Sequence, residues 1–495
     1  MEKVNDEPNA KKGVKGILKA IFTAPELLFC MYVFGLMLHL PLLHQYVYMR
    51  FSQEENFPYH YSAAHGSCGN HQLNKTMKAL QEKVQGKSAR FQIGQSLFTT
   101  IPSLVVCLYL GAWSDVVGRK PVVILGTLGT LLETIVVLLT MMLDLPIRVV
   151  YIGSFLNGMG GYFTGLILAV MAYIADTTSP DKRALRLGIM ECVVFVGATL
   201  SNFISGHLIS NYGFKIPYII VVVAVGISCL LAIFAMQESL KNKPVKSAGC
   251  FNMACLKYPL QVWRTLSMPR PGKWKIVVLM PATLFVNMLS MGISSLITLY
   301  LMNSPFCLSP IEVGYFSGTR LFLMGIGAAV GIKLLGLLMQ PHFISLVGIM
   351  SYFAFYTLLA FVKDSKTVYI ACLLGALSGT ASPIFRSILS KTVSSNEQGV
   401  LFSAVSSLEM LAVFLGNFLF NAVYLVLNRH GKPGAIFFLV DAILLIPFFL
   451  ALIYIRKIRS GGKGREDLQA IVNADLPSTG KEIVDDYGSS TSNRH

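Results

Sequence analysis

Long apolar runs separated by short polar stretches dominate this chain of 495 residues. A transmembrane helix needs about 20 consecutive, mostly apolar residues, and twelve segments meet that requirement. The polar, basic N-terminus leads directly into a full-length span, so that no cleavable signal peptide is expected. The pattern predicts an all-α integral membrane protein with twelve transmembrane helices. Their centres lie near residues 36, 103, 132, 160, 198, 225, 288, 325, 352, 380, 413 and 444.

A polar, proline-containing stretch separates six of these helices from the other six. It carries eight basic residues counted through Lys275, as expected of a central cytosolic loop. The tail after Arg456 is polar and is expected to be disordered. The predicted segments are an N-terminal tail over 1–25, a first half over 26–236 with a long outer loop over 50–90, the central loop over 237–273, a second half over 274–456, and the tail over 457–495.

Composition and charge agree with this class. The chain is 54% hydrophobic and 13% charged, with a mean hydropathy of +0.61. A net charge of +16 would suggest a nucleic-acid partner in a soluble protein, but about 26 of the 41 Lys and Arg residues fall on the predicted cytosolic segments. This positive-inside bias places both termini in the cytosol. The lipid bilayer is therefore the expected partner, and nucleic acid is not.

The first outer loop contains the sequon Asn74-Lys75-Thr76, which predicts glycosylation of Asn74. Most of the nine cysteines lie in apolar runs, where a small buried side chain is the usual interpretation. Cys68 and Cys307 fall in predicted outer loops, on the oxidising side. A disulfide between them would tie the first outer loop to the loop after the seventh helix.

Charged residues at membrane depth cost roughly 2.5–3.5 kcal/mol on insertion scales, so each is a functional candidate. Lys333 lies near a cytosolic helix end and can extend to the surface. For Glu133 and Asp441 we favour structural pairing with neighbouring helices. The full set is Glu133, Glu191, Arg320, Lys333, Arg386, Glu409 and Asp441.

Glu191 stands out because it shares one helical face with small and polar residues, including Gly188 and Asn202. Such a face packs against another helix or lines a water-filled path. Burial favours the neutral form of a carboxyl group, so Glu191 could bind and release a proton as a cavity opens and closes. A helix-packing hydrogen bond is the alternative.

Arg320 and Arg386 are the two arginines at membrane depth. Arginine keeps its charge there, so each must meet an acid or an anionic ligand. Recognition of a substrate carboxylate and a salt bridge to Glu191 or Glu409 are both open. Uncharged polar residues would complete the lining of a substrate site. These are Asn157, Thr164, Asn287 and Ser290.

Residues 111–120, GAWSDVVGRK, join two membrane-length segments by a tight charged hairpin. The spacing resembles the hairpin between helices 2 and 3 of major facilitator transporters. The corresponding stretch of the second half, KLLGLLMQPHF over 333–343, lacks an acidic partner. We predict that the hairpin of the first half acts as a gate on the cytosolic side. Its residues are Gly111, Asp115, Gly118, Arg119 and Lys120.

The chain as a whole resembles solute carrier family 46 of the major facilitator superfamily. The resemblance rests on PLLHQYVYMR at 41–50, the hairpin, TLYLMNSPFC at 298–307, and SPIFRSILSKTVSSNEQGVLFSAVSSLE at 382–409. It implies two pseudo-symmetric halves of six helices that rock about a central site.

The resemblance also implies roles for individual residues. Glu191 matches the proton-coupling glutamate of the family, and Arg386 an arginine implicated in proton and substrate binding. Cys68 and Cys307 match its outer-loop disulfide. Asp115 and Arg119 match the hairpin acid and base, and Asp115 would form a latch with the start of helix 11 near 396–399.

Three positions depart from the folate-transporting branch of the family. That branch has histidine, aspartate and arginine where we align Ser290, Tyr162 and Ser154. The neutral residue at 290 is more similar to carriers of steroid conjugates, drug catabolites or muropeptides.

Together these features predict a proton-coupled symporter of organic anions, with substrate and proton as its partners. A strict folate transporter is the nearest alternative. A transporter-fold substrate sensor is an alternative of another class, although Glu191 and the hairpin are intact. Neither a catalytic Ser–His–acid set nor a metal motif is found, so an enzyme, a cofactor and a metal are not expected. The location can be the plasma membrane or an endolysosomal membrane, with both termini in the cytosol. The sequence also leaves a homo-oligomer open.

Overall fold

The structure is a computed structural model that describes residues 24–58, 75–178, 180–239, 264, 267–269, 272–303, 306–362, 364–393 and 398–474. Twelve helices in this part are long and apolar enough to cross a membrane, and each contains one predicted centre. The prediction of a twelve-helix membrane fold is confirmed.

The helices of the first half are α1 (Ala24–Glu54), α2 (Lys75–Val117), α3 (Arg119–Met142), α4 in two pieces (Val150–Met159 and Tyr162–Thr177), α5 (Pro180–Tyr212) and α6 (Lys215–Leu230). Those of the second half are α7 in two pieces (Lys273–Ser290 and Ser294–Leu301), α8 (Pro310–Ile326), α9 (Pro341–Phe361), α10 in two pieces (Ser365–Leu374 and Ala381–Ser390), α11 (Gln398–Arg429) and α12 (Ile436–Ala474).

Two predicted boundaries change. The ends of the outer segment predicted over 50–90 are helical, because α1 continues to Glu54 and α2 begins at Lys75. Lys83 and Lys87 of α2 approach Glu55, each to 2.5 Å, and their ammonium groups lower the pKa of Glu55. Polar residues thus extend both helices beyond the apolar spans. At the other end of the chain, α12 continues to Ala474, where a disordered tail had been expected from 457.

We call the end of the bundle where α1 begins and α12 ends the terminal face, and the opposite end the distal face. The halves meet mainly through α5 against α8 and α2 against α11. Large apolar side chains such as Phe234 and Leu337 point outward, which is expected where the surrounding solvent is lipid.

Sequence-encoded caps position α8. Ser309 and Glu312 form a capping box in which each side chain bonds the backbone N–H of the other, and Pro310 occupies the first turn. This start fixes α8 at the distal face and carries Arg320 to membrane depth.

Candidate transport site

Three helices break in the middle of the membrane. Gly161 and Tyr162 take φ values of 85° and 52° between the pieces of α4, α7 is interrupted over 291–293, and α10 tightens into a 3₁₀ turn at Ala376–Thr380. Such breaks leave polar backbone groups outside the regular hydrogen-bond pattern. In transporters, discontinuous helices form substrate and ion sites near the midplane.

Arg320 of α8 lies beside the break of α7. Its Nη2 donates to the carbonyl oxygen of Ser290 at 3.3 Å, and its guanidinium lies 5.3 Å from the centre of the Phe355 ring. Within the described residues, no carboxylate comes within salt-bridge distance of it. In this part of the chain, the contacts described for the guanidinium are thus a backbone carbonyl and an aromatic ring.

Arg386 of α10 is different, because it meets Glu409 of α11. Its Nε and Nη2 both donate to Oε1 of Glu409, at 2.9 and 2.5 Å. The side chains are 37% and 11% exposed. Of the two sequence-based interpretations of Arg386, the structure shows the salt bridge to Glu409.

The uncharged candidates fall into two groups. Asn287 and Ser290 lie together on α7 next to the break, and Thr164 lies on the second piece of α4, 3.8 Å from the thiol of Cys107. Asn157 is fully buried, and its amide bonds Glu133 and Thr130 inside the first half. We therefore separate Asn157 from the substrate site.

The hairpin between α2 and α3 is a single residue, Gly118, at φ 119°. Only glycine adopts this conformation without strain, and a Cβ here would collide with the carboxylate of Glu238. The backbone N–H of Arg119 donates to Glu238 Oε1 at 2.9 Å, and its Nε donates to Asp176 Oδ2 at 3.0 Å. Arg119 thus ties the hairpin to the end of α4 and to the segment after α6.

Asp176 and Glu238 were not anticipated from sequence. Asp176 lies in the last turn of α4 and Glu238 follows α6, so the predicted topology alone would have placed both at the same face as the hairpin. The observed contacts lie within the first half.

Other predicted sites lie wholly or partly outside the described residues. Glu191 and Asp115 are on α5 and α2, but their side chains are not described, and neither are Cys68, Asn74 and 394–397. Cys307 is disulfide-bonded. Its pairing with Cys68, the glycosylation of Asn74 and the latch of Asp115 stay predictions. Among the described residues, no group of three His, Cys, Asp or Glu side chains could hold a metal.

A polar network joins the halves at the distal face. Gln85 of α2 accepts from Tyr424 and Asn428 of α11 at 3.0 and 3.1 Å. Asn303, after α7, donates to Tyr424 and Asn428. The side-chain hydrogen bonds that the structure describes between the halves all lie at this face. One of them joins His207 of α5 to Tyr315 of α8 at 2.7 Å. The distal face is therefore closed.

The Major Facilitator Superfamily model matches residues 74–417. This chain belongs to that superfamily. It is 28% identical to the proton-coupled folate transporter of Rattus norvegicus, over 84% of this chain and 88% of that protein. It is 29% identical to the lysosomal proton-coupled steroid conjugate and bile acid symporter SLC46A3 of the same species, over 87% and 93%.

The fold of this facilitator matches solved structures as well. The human organic anion transporter MFSD10 superposes with a TM-score of 0.61 at 16% identity, over 86% of this chain and 98% of that one. The predicted resemblance to solute carrier family 46 is confirmed. This facilitator is a multi-pass membrane protein whose relatives are transporters rather than enzymes.

Proposed function

We propose that this facilitator is a proton-coupled symporter of organic anions that works by alternating access. The observation that carries the proposal is Arg320, a cation at membrane depth beside the break of α7 with no described carboxylate partner. The relatives, named as proton-coupled carriers of folate or of steroid conjugates and bile acids, support it. Folate-like compounds, steroid conjugates and muropeptides are the substrate classes to test.

A substrate carboxylate or sulfate would bind Arg320 in place of a protein acid. Charge-assisted hydrogen bonds of this kind are stronger than neutral ones, and the low dielectric of the site strengthens them further. The hydroxyl of Ser290 and the amide of Asn287, on the same segment of α7, would fix the orientation of the ligand. Because Arg386 already has Glu409, we assign the anion to Arg320 and a structural role to the Arg386–Glu409 pair.

Alternating access would move residues 26–236 against 274–456. The closed distal face and the positive-inside charge bias support a conformation that opens toward the cytosol, with the terminal face inside. The membrane is the plasma membrane or an endolysosomal membrane, where an acidic distal side would supply the driving protons.

The function is tested with purified protein in liposomes, by uptake of radiolabelled folate, a steroid sulfate and a muropeptide at acidic and neutral pH. Uptake of at least one anion, stimulated by acid on the substrate side, is expected. Binding of a substrate without its net movement at either pH would contradict the proposal and favour a substrate sensor.

Arg320→Gln is expected to raise the KM for the anionic substrate by roughly tenfold to a hundredfold. A hydrogen bond to a charged group contributes about 1.5–3 kcal/mol, and each 1.4 kcal/mol is about tenfold in affinity. Arg320→Lys, which keeps the charge, should lose less. Lys333 is an exposed cation just beyond α8. Lys333→Gln is therefore the matched control and should leave KM unchanged. An equal loss for a neutral ester of the substrate would rule out charge recognition.

Glu191→Gln is expected to remove most of the gain in uptake on acidifying the substrate side, because glutamine cannot exchange a proton. Substrate exchange at constant pH should persist, since exchange needs no net proton movement. The measurement is the ratio of acidic to neutral uptake. A wild-type ratio in this variant would reject the role of Glu191.

A further inference from the structure

Glu133 of α3 is the centre of a buried polar cluster in the first half. Its carboxylate accepts from Ser154 Oγ at 2.7 Å and from Asn157 Nδ2 at 2.5 Å, both on the first piece of α4. The side chain is 2% exposed. A buried carboxylate at membrane depth is costly unless a cation or a proton neutralises it.

Within the described residues, the basic group that lies next to Glu133 is His39 of α1. Its Nε2 lies 3.9 Å from Glu133 Oε2, and it is as deeply buried as the glutamate. Its other ring nitrogen, Nδ1, is hydrogen-bonded to the hydroxyl of Tyr218 on α6. Three helices thus hold an imidazole directly against a carboxylate, away from the breaks of α7 and α10.

The hydrogen bonds show where an added proton can go. Both oxygens of Glu133 already accept from O–H or N–H donors, so an added proton on either oxygen would compete with one of these hydrogen bonds. A neutral His39 has one ring nitrogen without a proton. In the tautomer that places Nε2–H toward Glu133, this nitrogen is Nδ1, which accepts from the Tyr218 hydroxyl. Proton uptake at Nδ1 then forms an imidazolium that faces Glu133, and the Tyr218 hydroxyl becomes the acceptor. The net charge of the pair changes from −1 to zero.

The cluster also contacts the break of α4. Thr130 donates to Asn157 Oδ1 at 3.0 Å, and Asn157 lies one turn before Gly160 and Gly161. The backbones of α3 and α4 touch here, since a Cβ on Gly129 would lie 3.0 Å from the Cα of Gly160. A change in the net charge of the His39–Glu133 pair therefore acts on the segment that precedes the break.

We propose that His39 and Glu133 form a second proton-binding site, which takes one proton on His39 and couples its occupancy to the position of α4. The consequence for transport rests on the proposed function, but the site itself does not. Because the pair is shielded from water in this conformation, proton exchange requires a different arrangement of the helices. A coupling site needs this link between protonation and conformation.

Other titratable side chains lie near this pair or near its partner Tyr218. Tyr32 and His44 lie on α1 with Tyr46, and Tyr162 lies on the second piece of α4. The phenols keep their protons at physiological pH. Two imidazolium ions on one buried helix repel each other, so the proton goes to His39, which faces the carboxylate.

The site is tested without substrate, by NMR of ¹⁵N-histidine-labelled protein in lipid nanodiscs. The signal of His39 is the one that His39→Gln removes from the nine histidines. It is expected to change from neutral imidazole to imidazolium on acidification in the wild type and to stay neutral in Glu133→Gln. A His39 that stays neutral in the wild type, or that titrates equally in Glu133→Gln, would overturn the site.

Asp441→Asn is the matched control, because Asp441 is a buried acid of the second half that accepts from Thr357 at 2.7 Å. It should leave the His39 signal unchanged. In liposomes, Glu133→Gln should bring the ratio of acidic to neutral uptake toward one, and Asp441→Asn should not. A purely structural Glu133 would lower uptake equally at both pH values, and that result would also overturn the coupling. Failure of anion transport itself would leave the NMR result interpretable.

Discussion

Gly206→Ala is expected to lower transport at least about tenfold while the protein still folds. Gly206 of α5 packs against the start of α8, and a Cβ there would lie 2.5 Å from the Cα of Ile311 and would also collide with the carbonyl oxygen of Pro310. Both are backbone atoms, which cannot move aside as a side chain can, and an overpacked contact of this kind costs about 1–3 kcal/mol. The halves would then fail to close at the distal face.

The measurement combines uptake with labelling of Met302→Cys by a thiol reagent applied from the distal side. Met302 is buried there, so the engineered thiol should be protected in the parent protein and react in Gly206→Ala. Gly86→Ala is the control at the same face, because its Cβ would meet only Leu425 Cδ2, at 3.6 Å. Normal transport with a protected thiol in Gly206→Ala would show that this contact does not control closure.

Arg386→Ala is expected to abolish uptake of anionic and neutral substrates alike, with a lower melting temperature. The change leaves Glu409 without its cation at membrane depth. Breaking a buried ion pair costs about 3–5 kcal/mol, whereas an exposed pair contributes about 0.2–1 kcal/mol. With Arg386 37% exposed and Glu409 11% exposed, a value between those limits is expected.

The charge swap, Arg386→Glu with Glu409→Arg, distinguishes a structural pair from a substrate site. It should recover most of the stability lost in either single variant, because the two charges still meet between α10 and α11. Melting temperature and uptake are measured for the four proteins of the cycle. A selective loss of anionic substrates in Arg386→Ala, without recovery in the swap, would return Arg386 to the substrate site.

The helices could be predicted closely because the property that defines them is local. A span such as 215–235 can be recognised from the hydropathy of its own residues, without knowledge of its neighbours in space. The same locality explains the errors at the helix ends. Polar turns beyond the apolar core of α1 and α2 carry no hydropathy signal, yet the lysines and glutamates of these turns pair across the two helices and extend them.

The candidate site was predicted less completely, because the role of a charged residue in the membrane depends on partners that are far away in sequence. The residues themselves left Arg320 and Arg386 with the same two interpretations, and the family resemblance pointed to Arg386. The contacts instead pair Arg386 with Glu409. Nothing in the sequence pairs His39 with its partners in the structure, Glu133 and Tyr218. Periodicity cannot reveal such a triad, since its members lie on three different helices.

By itself the sequence determined the class of this protein, its twelve spans, its division into halves and its superfamily, because hydropathy, charge bias and the hairpin glycine act within a few residues. Only the tertiary structure decided which charges neutralise one another and which face is closed. Those outcomes depend on distances between helices, and at membrane depth a separation of a few ångströms determines whether a charge is paired or left for a ligand.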